Sequence, residues 1–402
     1  MAKQIIVLGA TGDIGRQCLE ILRYSYDYKL VGVSLCSHYE LLEDNLFWFD
    51  SLEYVAIEDE DKAKEFTLKH PAFAHRIFSG KDSSLKLIKA FPKATVFNSI
   101  SGNAGLKPTL LAMKQNQDIL LSNKESIVIG SSLICELSKD YQGKIYPVDS
   151  EHVGLYKVFD ELKQRKIPSS DIVYPFITAS GGALRDVKRE NYDKVTKEMV
   201  LKHPTWRMSN KITVDCATLV NKGYEIIEAS YLFNYSVFDI SAMICRSSLI
   251  HAGVVYLNDK GEKEYLVEYS PCSMKNAIAF ALSKGEKKIH HLDSDEEKDC
   301  QKEIDSLEGV DCSKYPLFAL TIDYFDKYGN SGMIYYNAVD CRAIDQFLKG
   351  EITFLEIEES LMFTYINMPR LEKLTEDNLD EILHDSENFA IELFNNKPWR
   401  SR

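Results

Sequence analysis

Short apolar runs and longer amphipathic stretches alternate along the first 150 residues. Ile5–Leu8, Leu30–Leu35, Tyr54–Ile57, Ala94–Ile100, Ile119–Leu121 and Lys144–Val148 read as strands. The segments between them read as helices of ten or more residues. Strand and helix in alternation predict a parallel, doubly wound sheet of the Rossmann-like kind. Beyond about Asp149 the rhythm changes. A helix-like stretch comes first, then Val173–Ala179, Ser248–Leu257 and Tyr265–Tyr269 read as strands. Asn258-Asp259-Lys260-Gly261 reads as a hairpin turn between the last two, which predicts a central α+β region with an antiparallel sheet. Gly285–Asp311 holds ten Asp or Glu and four Lys and reads as a solvated acidic linker. From Ser313 the pattern is helical, with Tyr315–Tyr328, Cys341–Leu348 and Ile357–Ile366 as candidates. The expected division is 1–150, 151–284, a linker at 285–312 and a C-terminal helical domain at 313–402.

The chain has 402 residues, 45% hydrophobic and 27% charged, the balance of a globular protein with two or three domains. Its formal net charge of −13 argues against non-specific binding to nucleic acid or anionic membranes. A phosphate pocket can still be locally basic. The first apolar run is too short for a secretory signal, and no stretch is long enough to span a bilayer. Nine cysteines are scattered without a Cys-x-x-Cys pair, which argues against a disulfide framework or structural zinc. The expectation is a protein of the reducing cytoplasm, with no nucleic-acid or membrane partner.

Several motifs carry chemistry. Gly9-Ala10-Thr11-Gly12-Asp13-Ile14-Gly15 follows the first strand and opens the first helix. Glycines there let the backbone turn tightly and approach a pyrophosphate at the helix N-terminus. The spacing is a variant of the dinucleotide fingerprint, and a tight turn without a ligand is the plain alternative. Ser122-Asn123-Lys124-Glu125-Ser126 follows Ile119–Leu121, at a strand end where open parallel sheets bind ligands. Lys124 there suits a phosphate or hydroxyl. Ser122 or Asn123 also suits a helix cap, with Glu125 favouring the N-terminus.

In Pro147-Val148-Asp149-Ser150-Glu151-His152, two carboxylates stand two residues apart. On an extended segment they face one way, which is costly without a cation between them. With no cysteine or second histidine nearby, Mg²⁺ or Mn²⁺ is the indicated ion; a solvated helix start is the alternative. Asn221-Lys222-Gly223-Tyr224-Glu225-Ile226-Ile227-Glu228 puts Glu225 and Glu228 on one helical face, with Asn221 and Lys222 at its start. That is a phosphate cradle or a salt-bridged surface helix. Trp206, in His203–Met208, marks a lid over substrate or a loop anchored by its indole. Ser180-Gly181-Gly182 is an anion-binding turn or an ordinary glycine turn.

In order and spacing these motifs resemble the 1-deoxy-D-xylulose 5-phosphate reductoisomerase family. The likeness is carried by Gly9–Gly15, Gly105–Thr109, Asn123–Ser126, Pro147–His152, Thr178–Gly182, His203–Met208 and Asn221–Glu225, with Asn337-Ala338 and Phe347-Leu348 echoing it in the C-terminal helices. The resemblance implies a homodimer that uses NADPH and Mg²⁺ or Mn²⁺. It implies that Asp149, Glu151 and Glu225 hold the metal, that Ser150 meets the substrate beside it, and that Lys124 stands where cofactor and substrate join. Ser180, His203, Cys216, Asn221 and Lys222 would bind substrate, chiefly its phosphate, under a lid bearing Trp206. Gly9, Thr11, Gly12, Asp13, Ile14, Gly15, Asn123, Glu125 and, after the second strand, Ser37 and His38 would meet the cofactor. The implied reaction rearranges the carbon skeleton of 1-deoxy-D-xylulose 5-phosphate, and hydride from NADPH then gives 2-C-methyl-D-erythritol 4-phosphate.

The chain departs from the family pattern at several positions. Cys216 stands for a serine of the phosphate site and Ser209 for a glycine after the lid methionine. Cys245-Arg246-Ser247-Ser248 replaces a His-Pro-Gln-Ser segment, although His251 is kept. Cys272-Ser273-Met274-Lys275 replaces Pro-Asp-Met-Arg, and Cys36 and His38 stand where glycine and asparagine are usual. A reductase of the same architecture for another phosphorylated or polyol substrate is therefore an alternative, as is a non-catalytic cofactor-binding relic. The retained carboxylates argue against the relic. A semialdehyde dehydrogenase shares the Gly-Ala-Thr-Gly opening but needs a nucleophilic cysteine beside a histidine, and Cys135 lacks that setting.

Overall fold

Each apolar run of the first region becomes a strand, and the strands pair in parallel. The computed structural model describes residues 2–46, 48–286, 289 and 292–401. Among these residues, β1 (Lys3–Leu8), β2 (Tyr28–Leu35), β3 (Tyr54–Ile57), β4 (Ile77–Ser79), β5 (Thr95–Asn98), β6 (Ile119–Leu121) and β7 (Ile145–Pro147) form one sheet in the order β4-β3-β2-β1-β5-β6-β7. All its neighbours are parallel. α1 (Asp13–Leu22), α2 (Glu40–Leu46), α3 (Glu60–Lys69), α4 (Ser83–Ala90), α5 (Leu106–Lys114) and α6 (Lys124–Leu137) join the strands. Three of them, α2, α4 and α5, fall short of the expected ten residues. β4 has no counterpart among the expected strands, because it is three residues long and none of them is buried. The chain steps outward from β1 to β4, then returns to β5 on the other side of β1. Strand order therefore reverses between β1 and β5, the place where such sheets bind ligands at their carboxyl ends.

The rest of the chain continues with α7 (Ser150–Gln164), β8 (Ile172–Ala179), α8 (Lys197–Val200), α9 (Asn210–Thr218), α10 (Val220–Phe233), β9 (Ser241–Ile244), β10 (Ile250–Leu257) and β11 (Lys263–Tyr269). Then come α11 (Met274–Leu282), α12 (Ser294–Asp305), β12 (Glu308–Gly309), α13 (Pro316–Lys349), α14 (Phe354–Ile366) and α15 (Leu379–Asn396). The second sheet has the order β11-β10-β8-β9-β12. It is mixed rather than wholly antiparallel: β10 runs against β8 and β11, but β9 lies parallel to β8. The connection from β8 to β9 carries α8 to α10, so it is long enough to return the chain in the same direction. Val158 and Leu162 of α7 pack on Val254 and Tyr256 of β10. Val255, facing the other way, packs with Phe176 and with Cys300 of α12.

The chain divides into two compact units, Met1–Ser150 with Ser273–Lys287, and Glu151–Cys272 with Lys288–Arg402. The expected boundaries change in two places. α11, expected in the central region, belongs to the first unit: Ile278, Ala281 and Leu282 are buried with Leu19 and Leu22 of α1 and Val148. The expected acidic linker carries the helix α12 and the short strand β12; its residues 287, 288, 290 and 291 lie outside the described residues. α12 has a capping box between Asp293 and Glu296, and Asp295, Glu296 and Glu297 occupy a first turn that favours negative charge. Its charge run is thus an amphipathic helix with Cys300 buried. In the C-terminal region α13 breaks at Gly329, where φ is +60°, and α15 adds a helix beyond the expected ones. Among the described residues no helix is long and apolar enough to cross a membrane.

Candidate active site

In the first unit the glycine loop connects β1 to α1. Gly9 has φ +73°, and a Cβ on it would lie 2.6 Å from the Ser99 carbonyl oxygen. A Cβ on Gly15 would lie 2.2 Å from the Gly9 carbonyl oxygen. Only glycine fits either place, so helix and strand approach as a pyrophosphate cradle requires. The Ala10 N–H donates to the Ser34 carbonyl at 2.8 Å and the Gly9 N–H to Ser34 Oγ at 3.3 Å, fastening the loop to the end of β2. Thr11 and Ile14 are half-buried, while Gly12 and Asp13 are exposed at the helix start. Asp13 is paired with Arg16 at 2.6 Å. Ser37, half-buried, and His38, exposed, follow Ser34 on the chain.

Asn123 and Glu125 brace a neighbouring loop. Asn123 Oδ1 caps α6 by accepting from the Ser126 N–H at 2.9 Å, and its Nδ2 donates to the Gly102 carbonyl at 3.0 Å. Glu125 accepts from the Gly102 N–H at 3.3 Å. The cap reading and the position at a strand end therefore hold together. Asn98, at the end of β5, donates to the Gly105 carbonyl and to Thr109 Oγ1, both at 2.9 Å. Lys124 Nζ lies 2.8 Å from Asp149 Oδ2, with both side chains about 15% exposed.

In the second unit Glu151, on the first turn of α7, and Glu225, on α10, share one cation. Lys222 Nζ is 3.0 Å from Glu151 Oε1 and also pairs with Glu225 Oε2. Lys222 and Glu225 are only 3% exposed. Asn221 Nδ2 donates to Glu225 Oε1 at 2.6 Å. The two glutamates of the expected helical face divide, because Glu228 turns to His152. That imidazole is fully buried, with Nδ1 3.3 Å from Glu228 Oε2 and Nε2 2.9 Å from the Glu225 carbonyl oxygen. His152 therefore ties the start of α7 to α10. α10 itself begins after Leu219, a buried leucine in the left-handed region at φ +61°.

The Ser180 turn and the lid meet through His203. The backbone N–H groups of Trp206 and Thr205 donate to His203 Nδ1 at 2.9 and 3.2 Å. Nδ1 is thereby the acceptor, so Nε2 carries the hydrogen and donates to Ser180 Oγ at 3.0 Å. Ser180 Oγ also accepts from the Gly182 N–H at 3.1 Å, which directs its own hydrogen outward. Burial, and then the nearby Arg185 cation, lower the His203 pKa to about 4. Thr205 Oγ1 lies 3.3 Å from Ser248 Oγ, and the Trp206 ring is tilted toward His251 at 6.4 Å between centroids. Cys216, half-buried on α9, lies beneath the Ser180 turn: a Cβ on Gly182 would come within 2.4 Å of the Cys216 carbonyl oxygen. Cys245 is buried beside Phe176 and Ile250. Arg246 is half exposed and pairs with Asp186 at 2.6 Å.

Sequence reasoning did not single out Asn98, the His152–Glu228 pair, Arg185 or the Thr205–Ser248 contact. His152 and Glu228 each stood inside a quoted motif, but nothing in the spacing pairs them. The contacts of Asn98 and Arg185 with backbone carbonyls leave no sequence pattern.

Three family profiles match the chain: 1-deoxy-D-xylulose 5-phosphate reductoisomerase over residues 5–131, the C-terminal domain of that enzyme over 145–233, and a DXP reductoisomerase C-terminal domain over 269–388. The 1-deoxy-D-xylulose 5-phosphate reductoisomerase of Exiguobacterium sibiricum is 32% identical over 96% of this chain and 97% of its own. That of Macrococcus caseolyticus is 33% identical over 93% and 96%. Among solved structures, the enzyme of Zymomonas mobilis in complex with NADPH aligns with a TM-score of 0.81 at 25% identity, covering 98% of this chain and 99% of that one. A DOX-P reductoisomerase in complex with NADPH, fosmidomycin and magnesium aligns with a TM-score of 0.83 at 25% identity, with the same coverage.

The His203 environment gives a pH test. An ordinary histidine titrates near 6.5, whereas the folded chain lowers this one to about 4. Between those values the unfolded chain binds a proton that the folded chain refuses, so stability falls as pH drops through that window and is fully present above it. His203→Gln should therefore lose less melting temperature than wild type between pH 7 and pH 5. Equal losses in the two proteins would contradict the half-buried, neutral imidazole.

Proposed function

The chain belongs to the 1-deoxy-D-xylulose 5-phosphate reductoisomerase family, and from that premise we propose how its residues divide the reaction. The activity is the NADPH- and divalent-metal-dependent conversion of 1-deoxy-D-xylulose 5-phosphate to 2-C-methyl-D-erythritol 4-phosphate. The observation that carries the site assignment is the Glu151–Lys222–Glu225 cluster, in which Lys222 and Glu225 are buried and Glu151 is partly buried.

Asp149, Glu151 and Glu225 hold Mg²⁺ or Mn²⁺. The donor set is oxygen only, which suits a hard cation, and the Lys222 ammonium already stands as a positive charge against two of the three carboxylates. Asp149 is joined to Glu151 through Ser150 alone, so their Cα atoms stay within about 7 Å. When bound, the metal polarises the substrate's ketone and neighbouring hydroxyl, and NADPH supplies the hydride. Lys124 balances the charge of Asp149 and presents its ammonium where cofactor and substrate join. Ser150 meets the substrate beside the metal.

Asn221, at the N-terminal turn of α10, binds the substrate phosphate. Lys222 exchanges its carboxylate partners for that phosphate. Ser180 donates its outward hydroxyl hydrogen to the same group, held in place by neutral His203. Cys216, beneath the same turn, adds a weaker donor. Trp206 closes the lid over the substrate. Gly9, Thr11, Gly12, Asp13, Ile14 and Gly15 receive the NADPH pyrophosphate, Asn123 and Glu125 shape the adjoining loop, and Ser37 and His38 meet the 2′-phosphate. The enzyme works as a homodimer in the cytoplasm. Another phosphorylated substrate is disfavoured, because the departures at Cys245 and Arg246 are taken up by a buried apolar cluster and an outer ion pair.

Purified protein should oxidise NADPH, and NADH far less, when given 1-deoxy-D-xylulose 5-phosphate with Mg²⁺ or Mn²⁺. EDTA should abolish turnover. Absence of NADPH oxidation with this substrate would overturn the assignment, and a preference for NADH would overturn the roles of Ser37 and His38.

Cys216→Ser should lower KM for the phosphorylated substrate by about tenfold, since a hydroxyl donates far better than a thiol and bonds to charged groups are worth about 1.5–3 kcal/mol. Its metal dependence should not change. An unaltered KM would assign Cys216 to packing.

A further inference from the structure

We propose that Arg185 is a positioning residue for the phosphate end of the substrate site. The inference rests on the phosphate reading given above. β8 and β9 run parallel, with Ala179 opposite Ile244 as the last pair, and the Cys245 N–H donates to the Ala179 carbonyl at 2.9 Å. Beyond that point the ladder ends, and the two strands lead into separate loops. One is the Ser180 turn. The other is the Arg246 loop, which runs on to Ser248 and its contact with the lid at Thr205. The Arg185 guanidinium spans the gap: Nη1 donates to the Ser180 carbonyl at 3.0 Å and to the Arg246 carbonyl at 2.7 Å.

Three features set this arginine apart from a surface cation. Its side chain is only 18% exposed, so it acts inward. Its nearest carboxylate contact is long, 3.7 Å from Nε to an Asp186 that is 70% exposed and that pairs more closely with Arg246. Its Nη1 carries two N–H groups in the rigid guanidinium plane, which suits two carbonyls arriving from different loops. The start of α13 fixes the same turn from behind: Tyr315 donates to the Gly181 carbonyl at 2.9 Å, and Lys314 Nζ donates to the carbonyl of Arg185 itself. Ser180 Oγ accepts from His203 and from Gly182, so the direction of its outward hydrogen depends on where the Ser180 backbone is held. Arg185 holds that backbone, and its cation adds positive potential beside an anion site in a chain of net charge −13.

The test uses the full-length enzyme, with inorganic phosphate as a competitive inhibitor against 1-deoxy-D-xylulose 5-phosphate. Arg185→Met should raise KM for that substrate about tenfold or more, by analogy with the loss of a charge-assisted hydrogen bond. The phosphate inhibition constant should rise in parallel. KM for NADPH should hold, and kcat should change much less than KM. Arg185→Lys keeps the cation and the reach to one carbonyl, so it should recover part of both losses. Wild-type KM and phosphate inhibition in both variants would overturn the proposal. So would a parallel collapse of kcat, NADPH affinity and melting temperature in both, which is the mark of a staple for the fold. Failure of the wild-type enzyme to turn over the substrate would instead count against the functional reading on which the proposal rests.

Discussion

A single buried ammonium, that of Lys222, lies against Glu151 on α7 and Glu225 on α10. Two carboxylates from different helices, one of them buried, do not stand side by side without a cation, because desolvation and mutual repulsion both raise their cost. The site is thus built for positive charge, and it has two candidate occupants: the lysine of the same helix and a divalent metal. In the proposed reading, exchange between them would couple metal binding to the release of Lys222 toward a substrate phosphate. One side chain then serves the resting protein and the loaded one in different roles.

The surrounding fold fixes the elements that carry this cluster. Leu219 is held in a left-handed conformation that costs a non-glycine residue about 1–3 kcal/mol, and it turns the chain sharply from α9 into the first turn of α10, where Asn221 and Lys222 stand. His152 lies between the Glu225 backbone and the Glu228 carboxylate, so the helix starting at Ser150 cannot slide along α10 without leaving buried polar groups unsatisfied. At the Ser180 turn the positions are held by hydrogen bonds alone. Two backbone N–H groups fix the His203 tautomer, and His203 in turn fixes Ser180.

The parallel sheet was legible because its long strands are continuous apolar runs. β4 and β9 were not, since the residues of β4 are not buried and only Ile244 of β9 is. α12 is hidden by its charge: its count of acids is that of a linker, and the capping box that makes those acids helix-forming depends on one local geometry at Asp293 and Glu296. α11 was assigned by its place in the chain, yet its apolar face packs beside α1. Among site residues, the glycine loop and the carboxylate motifs could be read because spacing carries their chemistry. The pairing of Lys222 with Glu151, the turning of Glu228 to His152 and the bracing role of Asn123 depend on which elements pack together. No local pattern encodes that.

The central claim is that Lys222 occupies the charge position of the metal between Glu151 and Glu225. It is tested most directly by Mn²⁺ binding to the substrate-free protein, read from the electron paramagnetic resonance signal of unbound Mn²⁺. Removing the competing ammonium with Lys222→Met should tighten Mn²⁺ binding, by about tenfold for one buried charge interaction. Mn²⁺ binding that is unchanged or weaker in Lys222→Met would contradict the account.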